Sequence, residues 1–266
     1  MELKEKAKQL LESGEVKAVL GFCAGTYGRR RPAFARTPEQ AERLVLDEAC
    51  EQNLATYVTR KEVKRLGRVA VAAKPSVLRA ILQLTAEHQV KEGDLLALAV
   101  DASGQVQELP TAQAIEERLA LEPHQLPAKD KEMLDKLRKM SRAERFAFWQ
   151  AEFSRCVKCY ACRASCPMCY CENCTMDCNR PQWVPVPSHA QGNLEYHTVR
   201  AMHLAGRCVE CGDCGRACPV DIPIHLLTFS AEESVHTQFG QRAGASVKLD
   251  YALSTFRPDD KESFIR

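Results

Sequence analysis

The sequence predicts an α/β N-terminal domain over residues 1–125 and an α+β cysteine-rich domain over residues 146–232. Apolar runs alternate with helical patterns between residues 14 and 120, which is typical of α/β domains. The apolar runs have no polar alternation, as expected for strands whose two faces are covered by helices. Twelve of the 14 cysteines lie between Cys156 and Cys218, so the second half has a different organising chemistry.

The N-terminal elements follow one another with short connections. A helix over residues 3–13 ends at Gly14 and precedes a buried strand over residues 16–22. Thr37 and Pro38 have the residue types of an N-cap and a first helical residue, and that helix is expected to reach Gln52. The other predicted elements are an edge strand at 32–35, a strand at 69–73, a helix from Pro75, a strand at 95–100 and a helix at 111–119.

Residues 126–145 are predicted to be a linker and the start of a charged, solvated helix. Ser141 and Glu144 have the spacing of a capping box, so a helix should begin there and lead into the cysteines. A helix over residues 193–205 should end at Gly206, and another should begin near residue 224. Residues 233–266 are assigned as a C-terminal tail, and its part from residue 240 onward is expected to be extended or partner-bound.

Two runs of the form C-x-x-C-x-x-C-x-x-x-C-P dominate the second half. Tandem C-x-x-C spacing favours metal binding over disulfides in a chain without secretory features. The spacing is that of two-cluster bacterial ferredoxins, in which the fourth cysteine of each run ligates the other cluster. Following that pattern, the first 4Fe–4S cluster is assigned to Cys156, Cys159, Cys162 and Cys218. The second is assigned to Cys208, Cys211, Cys214 and Cys166.

Four more cysteines lie in the connection between the two runs: Cys169, Cys171, Cys174 and Cys178. Ordinary two-cluster ferredoxins lack this group. Four thiolates could hold a third 4Fe–4S cluster, which we favour because two relay centres would lie nearby. A structural zinc ion is the alternative, and four free thiols would be the simplest case.

Several features are less specific. Lys158, Arg163 and Arg216 lie within the cysteine runs and could compensate cluster charge or be solvated. Residues 21–31 contain glycines and arginines that could cradle a phosphate, but no G-x-G-x-x-G or P-loop is present. Cys23 and Cys50 are expected to be core residues. We find no Ser/His/Asp set and no carboxylate pair for catalysis.

Composition excludes some partners. A net charge of +2 gives no reason to expect nucleic acid, and no apolar run is long enough to span a bilayer. The charged N-terminus lacks the apolar core of a signal peptide, so the expected location is cytoplasmic.

Two stretches resemble known families. R-C-V-K-C-Y-A-C-R-A-S-C-P and H-L-A-G-R-C-V-E-C-G-D-C-G-R-A-C-P resemble iron–sulfur subunits of heterodisulfide reductase-like or formate dehydrogenase-like complexes of anaerobes. K-A-K-Q-L-L-E-S-G-E-V-K-A-V-L-G-F and R-V-A-V-A-A-K resemble the β subunits of deazaflavin-dependent hydrogenases and dehydrogenases. Those β subunits carry cysteines where this chain has Lys74-Pro75-Ser76 and residues 101–104. The N-terminal domain is therefore interpreted as a docking scaffold.

The resemblance implies an electron-transfer subunit of a cytosolic multi-subunit oxidoreductase from an anaerobe. It would relay single electrons through two or three 4Fe–4S clusters and perform no bond chemistry itself. Expected partners are other redox subunits of flavin, molybdenum, tungsten, hydrogenase or heterodisulfide reductase-like type. One alternative is a flavin-containing subunit that reduces a deazaflavin or nicotinamide carrier. Another is a scaffold in which clusters or zinc are only structural.

Overall fold

The computed structural model describes residues 1–101, 103–122, 124–176 and 182–247. The N-terminal half is a five-stranded mixed sheet with the strand order β2-β1-β3-β4-β5. Strands β1, β3 and β4 are parallel, and β2 and β5 pair antiparallel at the two edges. Their bounds are β1 Ala18–Ala24, β2 Arg30–Ala35, β3 Val69–Ala73, β4 Leu95–Val100 and β5 Val106–Leu109. The predicted α/β class is confirmed for this half.

Helices cover both faces of the sheet. In the N-terminal half they are α1 Leu3–Glu12, α2 Pro38–Ala41, α3 Ala55–Val58, α4 Lys61–Lys64, α5 Pro75–Ala86 and α6 Ala112–Ala120. Helix α1 packs against the face that carries Val19, while α5 and α6 pack against the face that carries Leu20. Neighbouring strand residues point to opposite faces, so a strand buried on both sides must be apolar at every position.

The helix that begins at Pro38 is much shorter than predicted. Thr37 caps it by accepting a hydrogen bond from the Gln40 amide at 3.4 Å, as expected, but α2 ends at Ala41. The chain then returns to the sheet, where the Val45 amide donates to the Phe22 carbonyl at 2.8 Å. Phe22 lies beyond the β1–β3 register, so its backbone is free to take this partner.

Strand β5 is absent from the sequence prediction. It follows a tight turn in which Asp101 Oδ1 accepts hydrogen bonds from the amides of Ser103 and Gln105, at 2.8 and 3.0 Å. Gly104 has a φ of +81°, which suits glycine in such a turn. With only four residues and one buried side chain at its end, β5 carries too little hydrophobic periodicity to be recognised.

The second half is helical in its described part. Its helices are α7 Ala128–Lys139, α8 Arg142–Ser154, α9 Ala161–Ala164, α10 Ala190–Leu204, α11 Asp213–Arg216 and α12 Ile224–Phe239. The predicted capping box of Ser141 and Glu144 is confirmed at the start of α8. The charged run before it forms α7, which buries Leu134 and Leu137. No strand occurs in the described residues from 124 to 247, so the α+β ferredoxin-like fold stays a prediction.

The two halves share one apolar core. Met168, Leu204 and Val209 from the second half belong to the same buried cluster as the α5 side chains. Polar contacts reinforce the junction, because Arg207 donates to both carboxylate oxygens of Glu87, at 2.7 and 2.6 Å. The two cysteine runs are therefore fixed against the sheet domain by packing and by charge.

Loss of the Glu87–Arg207 pair should destabilise the protein. Burial raises the pKa of the Glu87 carboxyl, but Arg207 outweighs burial and the net pKa is lowered. Glu87→Gln would leave a partly buried guanidinium without its counter-charge, so we expect a loss of about 2–4 kcal/mol in unfolding free energy. Glu15→Gln, which breaks the more exposed pair with Arg68, should cost less than about 1 kcal/mol. Denaturant unfolding of both variants measures the difference, and equal losses would contradict it.

Candidate metal centres

The first cysteine run and the last cysteine of the second run meet at one cavity. Cys156, Cys159, Cys162 and Cys218 all line it, together with apolar and aromatic side chains that include Tyr196 and Ile222. Burial raises the pKa of the Cys156 thiol, and Cys162, Cys159 and Cys218 are close enough to raise it further. The structure thus brings Cys218 to the three cysteines with which the crossed pattern predicts it to act.

The loops of the two runs have the same backbone design. Lys158 and Tyr160 have φ values of 51° and 58°, and Glu210 and Gly212, at the equivalent positions of the second run, have 54° and 79°. These left-handed residues curl each loop so that its amides turn inward, an arrangement suited to anions. The Lys158 amide donates to Cys156 Sγ at 3.4 Å, and the Glu210 amide donates to the Cys208 thiol. Both loops are therefore shaped to stabilise thiolates.

The cysteines of the second run lie against the sheet domain. Cys208, Cys211 and Cys214 lie close together, and burial raises the pKa of each thiol. Cys166, their predicted fourth partner, packs on the same apolar cluster as Cys208 and Cys211. The Asp213 carboxylate fixes this loop by accepting from the Asn53 amide at 2.6 Å.

Two of the inserted cysteines, Cys169 and Cys171, line one cavity together with Cys166. Cys169 is half-buried, and a hydrogen bond with Cys166 is the main reason why its pKa is raised. Cys171 is exposed, whereas Cys174 packs on the apolar cluster of the second half, which differs from the cluster that Cys169 contacts. Cys178 lies outside the described residues. A third 4Fe–4S or zinc site therefore stays a prediction.

A single metal ion has no ready site among the described residues. No three His, Cys, Asp or Glu side chains there are close enough together to share one ion. The four thiolates of a cubane bind four different irons, so their sulfurs lie further apart than the ligands of one ion.

Helix α10 presents a polar face to the cysteines, which the sequence analysis did not identify. Asn193 Nδ2 donates to the Cys156 carbonyl at 2.9 Å, and the Tyr196 hydroxyl lies 3.6 Å from Cys162 Sγ. Arg200 Nη2 donates to the Cys162 carbonyl at 2.9 Å. The spacing of these three residues places them on one face of the helix, and this periodicity was the signal available in the sequence.

His197 lies on the same buried face and is neutral. Burial lowers its pKa to about 3, and Arg200 adds to the effect. Its ring stacks on Phe153 with centroids 4.4 Å apart. His197 therefore acts as an uncharged packing group beside the first cavity.

The three basic residues predicted as counter-charges bind mainly to loop carbonyls. Lys158 is buried, and its Nζ donates to the Pro185 carbonyl. Arg163 Nη2 donates to the Cys171 carbonyl at 2.7 Å, and Arg216 pairs with Asp213 and donates to the Cys211 carbonyl at 2.6 Å. Their positive charges lie near the runs, but their hydrogen bonds hold the loops in shape.

The less specific predictions, on Cys50, Cys23 and the glycine- and arginine-rich segment, have different outcomes in the structure. Cys50 is buried and accepts from the Asp47 amide at 3.4 Å, as expected of a core residue. Cys23 is half-buried, and Arg31 Nε donates to its Sγ at 3.3 Å. Tyr27 and Arg29 line an open cavity of about 680 Å³ that also includes Arg216. The glycine- and arginine-rich segment thus faces the second cysteine run.

A pH effect should arise at Glu232 on α12. Burial raises its pKa from 4.5 to about 7, and the Glu210 carboxylate adds to the shift. The unfolded chain releases this proton at a lower pH than the folded chain, so stability should fall as pH rises from 4.5 to about 7. The stabilising effect of Glu232→Gln on the free energy of unfolding, relative to the wild type, should therefore be larger at pH 8 than at pH 5 by about 1–3 kcal/mol.

The midpoint of thermal unfolding at the two pH values measures this effect. Glu132→Gln, which changes an exposed residue of α7, is the control and should show no such pH dependence. A Glu232→Gln variant with the wild-type pH profile would contradict the assigned titration.

No family model matches the chain. Part of it is similar to the F420-dependent formate dehydrogenase subunit β of Methanocaldococcus jannaschii, with 29% identity over 102 residues, 38% of this chain and 26% of the relative. It is also similar to the F420-dependent formate dehydrogenase 1 subunit β of Methanococcus maripaludis, with 27% identity over 105 residues, 40% of this chain and 26% of the relative.

The matches confirm the predicted resemblance to dehydrogenase β subunits. The matched part spans about a quarter of the length of either relative, 26% in both cases. A search of the described residues finds no helix with the length and apolarity needed to cross a membrane.

Proposed function

We propose that this chain is the iron–sulfur electron-transfer subunit of a multi-subunit oxidoreductase. The observation that carries the proposal is the cavity at which Cys218 of the second run joins Cys156, Cys159 and Cys162 of the first. This is the crossed ligand set of a two-cluster ferredoxin. Cys208, Cys211, Cys214 and Cys166 would hold the second 4Fe–4S cluster, and Cys169, Cys171, Cys174 and Cys178 a third, with zinc as the alternative there.

A 4Fe–4S cluster supplies one-electron redox chemistry without making or breaking a substrate bond. The chain's own residues would hold and insulate the centres. Inward-turned amides stabilise the thiolates, and Tyr196 and Ile222 limit water at the first cavity. We assign the making and breaking of substrate bonds to partner subunits.

The two centres would differ in their access to the surface. Cys208 and Cys211 pack on the core shared with the sheet domain, whereas Cys159 is exposed and Val157 is 57% exposed. We therefore propose that electrons exchange with one partner at the surface around Cys159. Cysteine use that favours metal over disulfides fits a reducing cytoplasm, the proposed location.

The relatives suggest what the partners are. Both are named as subunits of F420-dependent formate dehydrogenases, so a formate dehydrogenase-like complex is the first assembly to consider. Flavin, molybdenum, tungsten, hydrogenase and heterodisulfide reductase-like redox subunits fit the same role. The N-terminal sheet would serve as the docking scaffold.

A flavin-containing subunit that reduces a deazaflavin or nicotinamide carrier is the second candidate. The relatives' F420 dependence favours it, as does the open cavity bordered by Arg29 and Arg216. Purification under anaerobic conditions separates the two. A brown protein that dithionite bleaches, without a flavin spectrum, supports the relay, whereas bound flavin at about one per chain supports the second candidate. Clusters that dithionite cannot reduce would contradict the relay and, in a protein without flavin, would favour a structural scaffold.

A further inference from the structure

Arg200 on α10 is a buried cation that lies among the cysteines of both runs. Its residue is 4% exposed, and Nη2 donates to the Cys162 carbonyl at 2.9 Å. Nε and Nη1 are also buried and have no hydrogen-bond partner in the described protein. A guanidinium has five N–H donors, so most of the Arg200 donors are not used by the Cys162 carbonyl.

The neighbours of Arg200 show which anion would balance it. No carboxylate in the described residues pairs with it, and an unpaired buried charge costs several kcal/mol. Four thiols interact with its guanidinium: Cys169, Cys214, Cys166 and Cys162. Thiols balance a cation only as thiolates, and both Cys162 and Cys214 are buried. Metal binding is what would keep such buried cysteines anionic.

These thiols come from all three predicted groups. Cys162 lies in the first ligand set, Cys166 and Cys214 lie in the second, and Cys169 lies in the inserted group. Arg200 therefore lies between the two sets, held by the carbonyl of a ligand in the first and close to a ligand of the second. Arg216 differs from it, because the Asp213 carboxylate pairs with the Arg216 charge.

We propose that Arg200 is the charge-compensating residue shared by both clusters and that its fixed positive charge raises the reduction potential of each. The inference rests on the proposed function. One-electron reduction adds a negative charge to a cluster and removes one electron from the donor. A nearby cation stabilises the reduced form more than the oxidised form, and the low dielectric of the interior strengthens the effect. With one cation serving both centres, their potentials move together.

Three variants of the full chain, purified anaerobically, test the proposal. Arg200→Gln removes the charge and keeps a hydrogen-bond donor, and Arg200→Lys keeps the charge. Arg138→Gln is the matched control, because Arg138 is a half-exposed arginine of α7 that pairs with Asp135 at 2.8 Å. Iron content and the midpoint potentials of both clusters, followed by EPR during redox titration, are the measurements.

We expect full iron in all three variants, with both potentials shifted to more negative values in Arg200→Gln only. Arg200→Gln with full iron and wild-type potentials would overturn the proposal. If Arg200→Gln loses iron, Arg200→Lys decides: full iron with potentials near wild type supports the role of the charge, and iron loss contradicts it. Absence of iron from the wild-type protein would instead reject the proposed function itself.

Discussion

Substitution of Cys218 by serine should remove the cluster of the first run, although Cys218 belongs to the second run. The cavity that it shares with Cys156, Cys159 and Cys162 makes it the fourth ligand there. We expect Cys218→Ser to lose about four irons and to keep the EPR signal of the other cluster. Iron analysis and EPR of the dithionite-reduced protein measure both effects.

Comparison with other cysteine variants tests the crossing itself. Cys156→Ser should lose the same EPR signal as Cys218→Ser, and Cys211→Ser should lose the other. Cys23→Ser is the matched control, since Cys23 lies on the sheet, and it should keep all the iron. If Cys218→Ser and Cys211→Ser lost the same signal, the two runs would not be crossed.

Removal of the metal should unfold the second half selectively. Without clusters, the buried Arg200 loses its anionic partners. The inward-turned amides of the two cysteine loops also lose the thiolates that they would stabilise. Ligand binding and folding are coupled in such centres, with apparent contributions of about 10 kcal/mol or more per structural metal site. Strands β3 and β4 also pack on α1 through a separate apolar cluster that contains no cysteine, so the sheet should persist.

Hydrogen exchange before and after anaerobic chelation measures the difference. Amides of β3 and β4 should stay protected, whereas amides of residues 156–166 and 208–218 should exchange rapidly in the apoprotein. The zinc-free, iron-loaded protein is the reference. Unchanged protection of the cysteine loops after iron removal would show that they fold without a cluster.

The strands and long helices were predictable because the local sequence pattern alone shows which of their residues are buried. Val69–Ala73 is apolar at every position, and Pro75 supplies a defined start for α5, so both elements match their predictions. The helix from Pro38 was overextended because the Val45–Phe22 bridge is a tertiary contact. No local sequence pattern shows that the Phe22 carbonyl lies beyond the β1–β3 pairing and can accept a hydrogen bond from the Val45 amide.

In the candidate site, too, local spacing predicted some residues, whereas others depend on tertiary contacts. The crossed set was predictable because the spacing of each cysteine run follows the two-cluster ferredoxin pattern, in which the fourth cysteine ligates the other cluster. Arg200 was not found, because its importance depends on thiols from both runs and from the inserted group, which meet only in the folded chain. Its helix also has a weak apolar contrast, since Asn193, Tyr196 and His197 share the buried face.

Iron, acid-labile sulfide and zinc content of the anaerobically purified protein test the central claim most directly. We expect about eight irons with equal sulfide for two cubanes, and about twelve if the inserted cysteines hold a third. About eight irons with one zinc would place zinc at the inserted group. Zinc alone, or cysteines without iron and sulfide, would contradict the account of this chain as an electron relay.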